Sequence, residues 1–191
     1  MNTKIDLRFG IIVLMIVVAA LSRLLPHPPN FTPIGGMALF GAAYFSKKYL
    51  AFIIPLLALW MSDLVLNNVI YPIQFPEYYD GTFAWGISPW IYSSFALIVL
   101  LGFGLLKKVK IPTLIGSSVL ASILFFLLTN FGVWASGTAY PMTFDGLMTC
   151  YAAGIPFFWN TLAGDLFYVG VLFGGYAFAQ QRFLKPEFSR V

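Results

Sequence analysis

The chain has 191 residues, of which 60% are hydrophobic and 9% charged, with a formal net charge of +4. Its mean hydropathy is +0.85, more apolar surface than a soluble core of this length can hide. One cysteine, Cys150, excludes an intrachain disulfide scaffold, 18% aromatic residues exclude a disordered chain, and basic residues scattered between apolar runs argue against a nucleic-acid partner.

Apolar runs of the length a bilayer requires set the elements in chain order. The first predicted span is 9–25, ended by Pro26, Pro28 and Pro29. The second, 35–45, is short and reads as a tilted or partly buried segment. The third is 50–70, the fourth 90–106 and the fifth 114–134. The sixth, 153–178, has an ill-defined start. Met148 to Ile155 reads either as loop or as a separate short helix before Pro156. The expected fold is a single transmembrane domain over 1–191, all-α, with six helices and both termini inside.

The charges support that topology. Lys4, Arg8, Lys47, Lys48, Lys107, Lys108, Lys110, Arg182, Lys185 and Arg190 all fall at one end of the predicted bundle. That end is therefore the cytoplasmic one. The opposite loops, 71–89 and 135–147, carry Glu77, Asp80 and Asp145 and no basic residue. Arg23 is the one violation. The N-terminus also imitates a signal peptide, with Lys4 and Arg8, an apolar run, then Ala19 and Ala20. An uncleaved first helix is the simpler reading for a chain embedded throughout. The expected location is the bacterial cytoplasmic (inner) membrane, with lipid as the surrounding solvent.

Ionisable residues at bilayer depth each ask for a reason. Asp63 and Asp165 stand in similar settings, Ser62-Asp63-Leu64 and Gly164-Asp165-Leu166. Two inverted three-helix halves would place them in corresponding positions. Both face either a cavity or proton path, or a structural partner such as Arg23, Ser62, Asn160 or a backbone amide. Asn30, Asn67, Asn130 and Asn160 all fit in the outer half of the bundle. Buried amides pair a donor with an acceptor and suit a neutral polar ligand. Trp134, Tyr140 and Trp159 stand close to them in sequence and would stack on a flat ring. Interhelical hydrogen bonds and an interfacial aromatic belt are the structural alternatives. Asn30, Asp63, Asn67, Asn130, Trp134, Tyr140, Trp159, Asn160 and Asp165 are the candidate substrate residues, with Asn130, Trp134 and Asn160 as the main contacts. Ala38, Gly41 and Ala42 form a small-residue face for a partner or for internal packing. His27 lacks companions at metal-ligand spacing, and Cys150 reads as a packing residue. No metal, cofactor or catalytic set is expected, and no Walker A pattern is present.

The run Pro28-Pro29-Asn30-Phe31-Thr32-Pro33-Ile34-Gly35, with Ala38-Leu39-Phe40-Gly41-Ala42, Pro55 and Ser62-Asp63-Leu64, resembles a group of uncharacterised bacterial membrane proteins regarded as transport proteins. Asn130-Phe131-Gly132-Val133-Trp134, Cys150-Tyr151, Ile155-Pro156-Phe157-Phe158 and Asn160 to Leu166 extend the resemblance over roughly Arg23 to Gly174. That group is in turn similar to the substrate-binding S components of energy-coupling factor (ECF) vitamin transporters, by size, six helices and a small-residue helix. The resemblance implies a six-helix bundle that binds a vitamin or related micronutrient near the outer face. It also implies partners, an ECF coupling subunit and its ATPases, docking on an alanine motif of the first helix. Here the nearest such spacing, Ala38 and Ala42, lies in the second segment. The expected function is uptake of a small micronutrient. A non-catalytic scaffold, with the polar cluster filled by side chains, and an intramembrane enzyme using Asp63 and Asp165 are the alternatives.

Overall fold

A computed structural model describes residues 3–184 and is built of helices. We label them α1 (Thr3–Ser22), α2 (Ile34–Tyr44), α3 (Leu50–Gln74), α4 (Pro89–Leu105), α5 (Ile111–Ala135) and α6 (Phe144–Leu184). Three of them, α3, α5 and α6, are long and apolar enough to cross a membrane. The helices are apolar outside as well as inside: Leu14, Met61, Trp159 and Phe178 are all more than 60% exposed.

The basic residues gather at one end. Arg8 donates to the Tyr176 hydroxyl (3.0 Å) and to the Tyr44 carbonyl (3.3 Å), joining the start of α1 to the ends of α2 and α6. Lys48, before α3, lies 5.4 Å over the Phe103 ring near the end of α4. Lys185 and Arg190 lie outside the described residues, as does the side chain of Lys4.

At the centre sits α2, whose residues Ile34 to Gly41 are buried without exception. Every other helix packs on it, which explains a sequence that is apolar on all sides. It has 11 residues, a length of about 16 Å, half of what a bilayer core of about 30 Å demands. Its start lies deep in the bundle. The Asp165 carboxylate, in the middle of α6, faces the backbone of Gly35 and Gly36 in the first turn of α2 and accepts from the Ser122 hydroxyl of α5 at 2.6 Å. First-turn amides have no partner within their own helix. Pro33, the residue before α2, supplies no side-chain cap, so Asp165 takes that role from another helix.

Close approach makes the two glycines necessary. A Cβ on Gly35 would stand 2.3 Å from Asp165 Oδ1, and one on Gly36 would stand 2.9 Å from the Tyr168 Cβ. The segment 23–33 descends to this depth as irregular chain. It turns at Pro28-Pro29-Asn30-Phe31, closed by the Phe31 amide on the Pro28 carbonyl (3.0 Å). Asn30 holds φ of 62° there, a conformation that asparagine tolerates better than most residues. Gly164 lets the Thr32 backbone pass, since a Cβ would come within 3.0 Å of its nitrogen.

Three expectations change. The sixth helix starts at Phe144 and runs unbroken through Pro156, so Met148 to Ile155 is neither loop nor separate. Its start is fixed by Thr143, whose hydroxyl accepts from the Gly146 amide (3.1 Å), with Asp145 in the first turn. The third helix continues to Gln74 through one wide π-turn, Leu66–Ile70. The small-residue face is spent inside the bundle. Ala38 is fully buried, Gly41 fits against Ala51 and Pro55, and Ala42 fits against Gly102. This is the internal-packing reading of that face, with Ala42 half-buried.

Overpacking a tight core contact costs about 1–3 kcal/mol. Gly35→Ala should lower the thermal unfolding midpoint in detergent accordingly. A Cβ on Gly170 or Gly174 meets nothing within 4 Å, so Gly170→Ala and Gly174→Ala should leave the midpoint unchanged or raise it.

Candidate functional site

Because α2 begins midway, the space between its first turn and the end of the bundle away from the lysines is not filled by helix. Two cavities lie there. The first, about 510 Å³, is bounded by Arg23, Asn30 and Thr32 of the descending segment and by Ile70, Tyr71 and Gln74 of α3. The second, about 450 Å³, lies between α5 and α6, against Thr129, Asn130, Tyr140, Cys150, Phe157 and Thr161. Asn30, Ile91 and Phe125 line both and form the wall they share. The π-turn of α3 supplies Leu66 and Ile70 to the first cavity. Such turns reshape a helix face at ligand sites in many proteins.

An ion pair closes the inner side of the first cavity. Arg23 Nη1 lies 2.7 Å from Asp63 Oδ1, with both side chains 10% exposed. The same nitrogen donates to Ser62 Oγ (2.6 Å) and the Leu59 carbonyl (3.4 Å). This accounts for the basic residue at the end whose loops carry acidic residues and no lysine or arginine: Asp63 holds it there. A strap, 83–88, covers the pair. Asn68 clamps that strap like a strand partner, giving its amide to Ala84 O and accepting from Ala84 N, each at 2.8 Å. Trp60 Nε1 donates to Trp85 O (3.0 Å). Gly86, at φ +67°, lies 3.0 Å from the Asp63 Cβ, measured from an added Cβ position. Further out on the loop, Asp80 accepts from the Thr82 amide and hydroxyl (3.0 and 2.7 Å). Those bonds hold its carboxyl below the usual carboxylate range.

The predicted residues separate into groups. Asn30 lines both cavities, while Asn130 and Tyr140 line the second. Asp63 stands behind the first on Arg23. Asn67 gives its amide to the Asp63 carbonyl (2.8 Å) within the widened turn. Asn160 donates to the Pro29 carbonyl (2.9 Å) and ties down the descending segment. Trp134 donates to the Pro141 carbonyl (3.0 Å) and fixes the loop before α6. Trp159 is 62% exposed on the outer surface of the bundle. Asp165 lies below both cavities as the cap of α2. Asp63 and Asp165 therefore have different partners, a cation and a helix start, and the equivalence expected of inverted halves is absent from their surroundings.

Sequence reasoning passed over Arg23 as a cavity residue, along with Thr32, Phe125 and Thr129. Arg23 carried a signal, as the one lysine or arginine away from the basic end of the chain's predicted bundle. The others are ordinary members of apolar runs.

A family model described as "Family of unknown function (DUF6580)" matches residues 3–188. The chain belongs to this family. No curated protein and no solved structure matches it.

Removing one partner of a buried ion pair leaves an uncompensated charge and costs about 3–5 kcal/mol, whereas replacing both by apolar groups is near neutral. In this DUF6580 protein, Asp63→Leu alone should lower the unfolding midpoint strongly. The double variant Arg23→Met/Asp63→Leu should recover most of the loss in the same melting experiment.

Proposed function

We propose that the chain is an integral protein of the bacterial cytoplasmic membrane that binds a small vitamin-like or other micronutrient from the outer side for uptake. It crosses the membrane six times with both termini inside. The second crossing is half irregular chain and half helix, because α2 covers only the inner leaflet. Non-helical backbone at that depth is tolerated where it lines a cavity. The apolar outer surface of the helices and the one-sided basic residues support the orientation.

The observation that carries the reading is the pair of cavities above α2. Each falls within the usual range for a small-molecule site, about 300–1,000 Å³. Each mixes apolar walls with a few amide, hydroxyl and guanidinium groups. In a scaffold the same region would be filled with side chains. An enzyme using Asp63 and Asp165 together draws no support from their separate partners. The similarity to S components accords with a site between outer loops and later helices. Ala38, Gly41 and Ala42 are consumed by internal packing, so this reading has the protein binding its substrate without using that face to dock on a coupling subunit.

The test is native mass spectrometry of protein purified gently from its own membrane, followed by release of small molecules. A stoichiometric metabolite is expected. Ala153, exposed and on the wall of the second cavity, offers a block that spares the core. Ala153→Trp should lose the metabolite without lowering the melting midpoint. Folded protein that carries no small molecule, in wild type and variant alike, would speak for the scaffold.

A further inference from the structure

The guanidinium of Arg23 is only half used. Its three bonds, to Asp63, Ser62 and the Leu59 carbonyl, all leave from Nη1. Nε is buried and has no partner, and among the described residues no acceptor reaches Nη2. These two nitrogens form one edge of the planar fork, the edge that receives two oxygens side by side. A nine-tenths buried side chain that lines the first cavity thus keeps donors without partners. Resting on the reading of the cavities as a ligand site, we infer that the first cavity binds the carboxylate of a small, water-soluble organic acid, through the Nε/Nη2 edge of Arg23.

Charge selects the carboxylate over a phosphate. Arg23 already faces one anion, Asp63, and no lysine or second arginine lines the first cavity. A single added negative charge is compensated by strong paired hydrogen bonds, whereas for a dianion the other basic side chain on that wall, His27, already has both ring nitrogens on the Pro28 and Arg23 carbonyls. The body of the ligand then lies along Phe125 and Ile91, the shared wall, toward the second cavity. Thr129, Asn130 and Tyr140 wait there. A plain alkyl chain would strip water from these groups without replacing its hydrogen bonds. A planar ring bearing polar substituents would stack on Phe125 and meet the amide and hydroxyls.

The experiment compares matched acids and primary amides (benzoate with benzamide, indole-3-acetate with indole-3-acetamide) by thermal shift on the full chain in lipid nanodiscs. The acids should raise the unfolding midpoint, and the amides should do so at least about tenfold more weakly in concentration, as expected for loss of a bidentate charged contact. Arg23→Lys keeps a cation against Asp63 but lacks the fork. It should fold and lose the preference for acids. Acids that fail to raise the wild-type midpoint overturn the inference. So does an undiminished acid preference in Arg23→Lys. If amides stabilise the protein as well as acids do, the cavities still bind ligands and only the carboxylate is wrong. Octanoate acting where the aromatic acids do not would overturn the water-soluble source in favour of lipid.

Discussion

The contact between Asp165 and the first turn of α2 sets the shape of the molecule. Helix amides without partners must be satisfied wherever they are buried. Here they meet a carboxylate from the middle of a 41-residue helix, steadied by the Ser122 hydroxyl. The contact also matches the positive end of the α2 dipole with an acidic group. Because that cap lies deep, α2 is held to 11 residues. The chain before it has to descend as irregular backbone, and Gly164, Gly35 and Gly36 are the sites where that backbone and the two helices fit. The space above the first turn of α2 is the geometric remainder, and the two cavities occupy it.

The polar groups of this bundle mostly serve backbone. Asn160 holds the carbonyl of Pro29, Trp134 that of Pro141, Asn67 that of Asp63, and Asn68 clamps Ala84 from both sides. Each of these segments departs from regular helix: a proline turn, a loop before α6, a π-turn, and a strap. Irregular backbone has no regular ladder of its own, and side chains supply its partners. What remains unspent is informative for the same reason. Arg23 keeps donors without partners, whereas Thr129 and Asn130 on the wall of the second cavity give theirs to the Phe125 and Phe126 carbonyls and keep only acceptor oxygens toward it.

Much of the helical layout was legible in the sequence. Apolar runs separated by proline or basic clusters located six helices, and the grouping of lysines and arginines matched the ends that the structure brings together. The brevity of 35–45 was the visible trace of a half-length helix. Three things were not legible. Proline at 156 argued for a break, yet one missing backbone donor does not end a helix that Thr143 and Asp145 start firmly. The π-turn at Leu66–Ile70 has no periodicity signal of its own. The roles of the asparagines depend on which carbonyls come near after folding, and those carbonyls are distant in sequence, as Asn160 and Pro29 are. Asp165 belongs with these. A sequence gives its depth but not the helix start that it faces.

The central claim is that the space above α2 opens to the outer side of a membrane while α2 itself stays sealed. Cysteine accessibility tests it most directly, because the only native thiol, Cys150, is buried and can be replaced by serine. Single cysteines at Asn30, Thr129 and Gln74 should react with a membrane-impermeant thiol reagent added outside intact cells, and cysteines at Ala38 and Leu39 should not. Labelling of the cavity positions only after the cytoplasmic side is opened, or labelling of α2 from outside, would contradict the account.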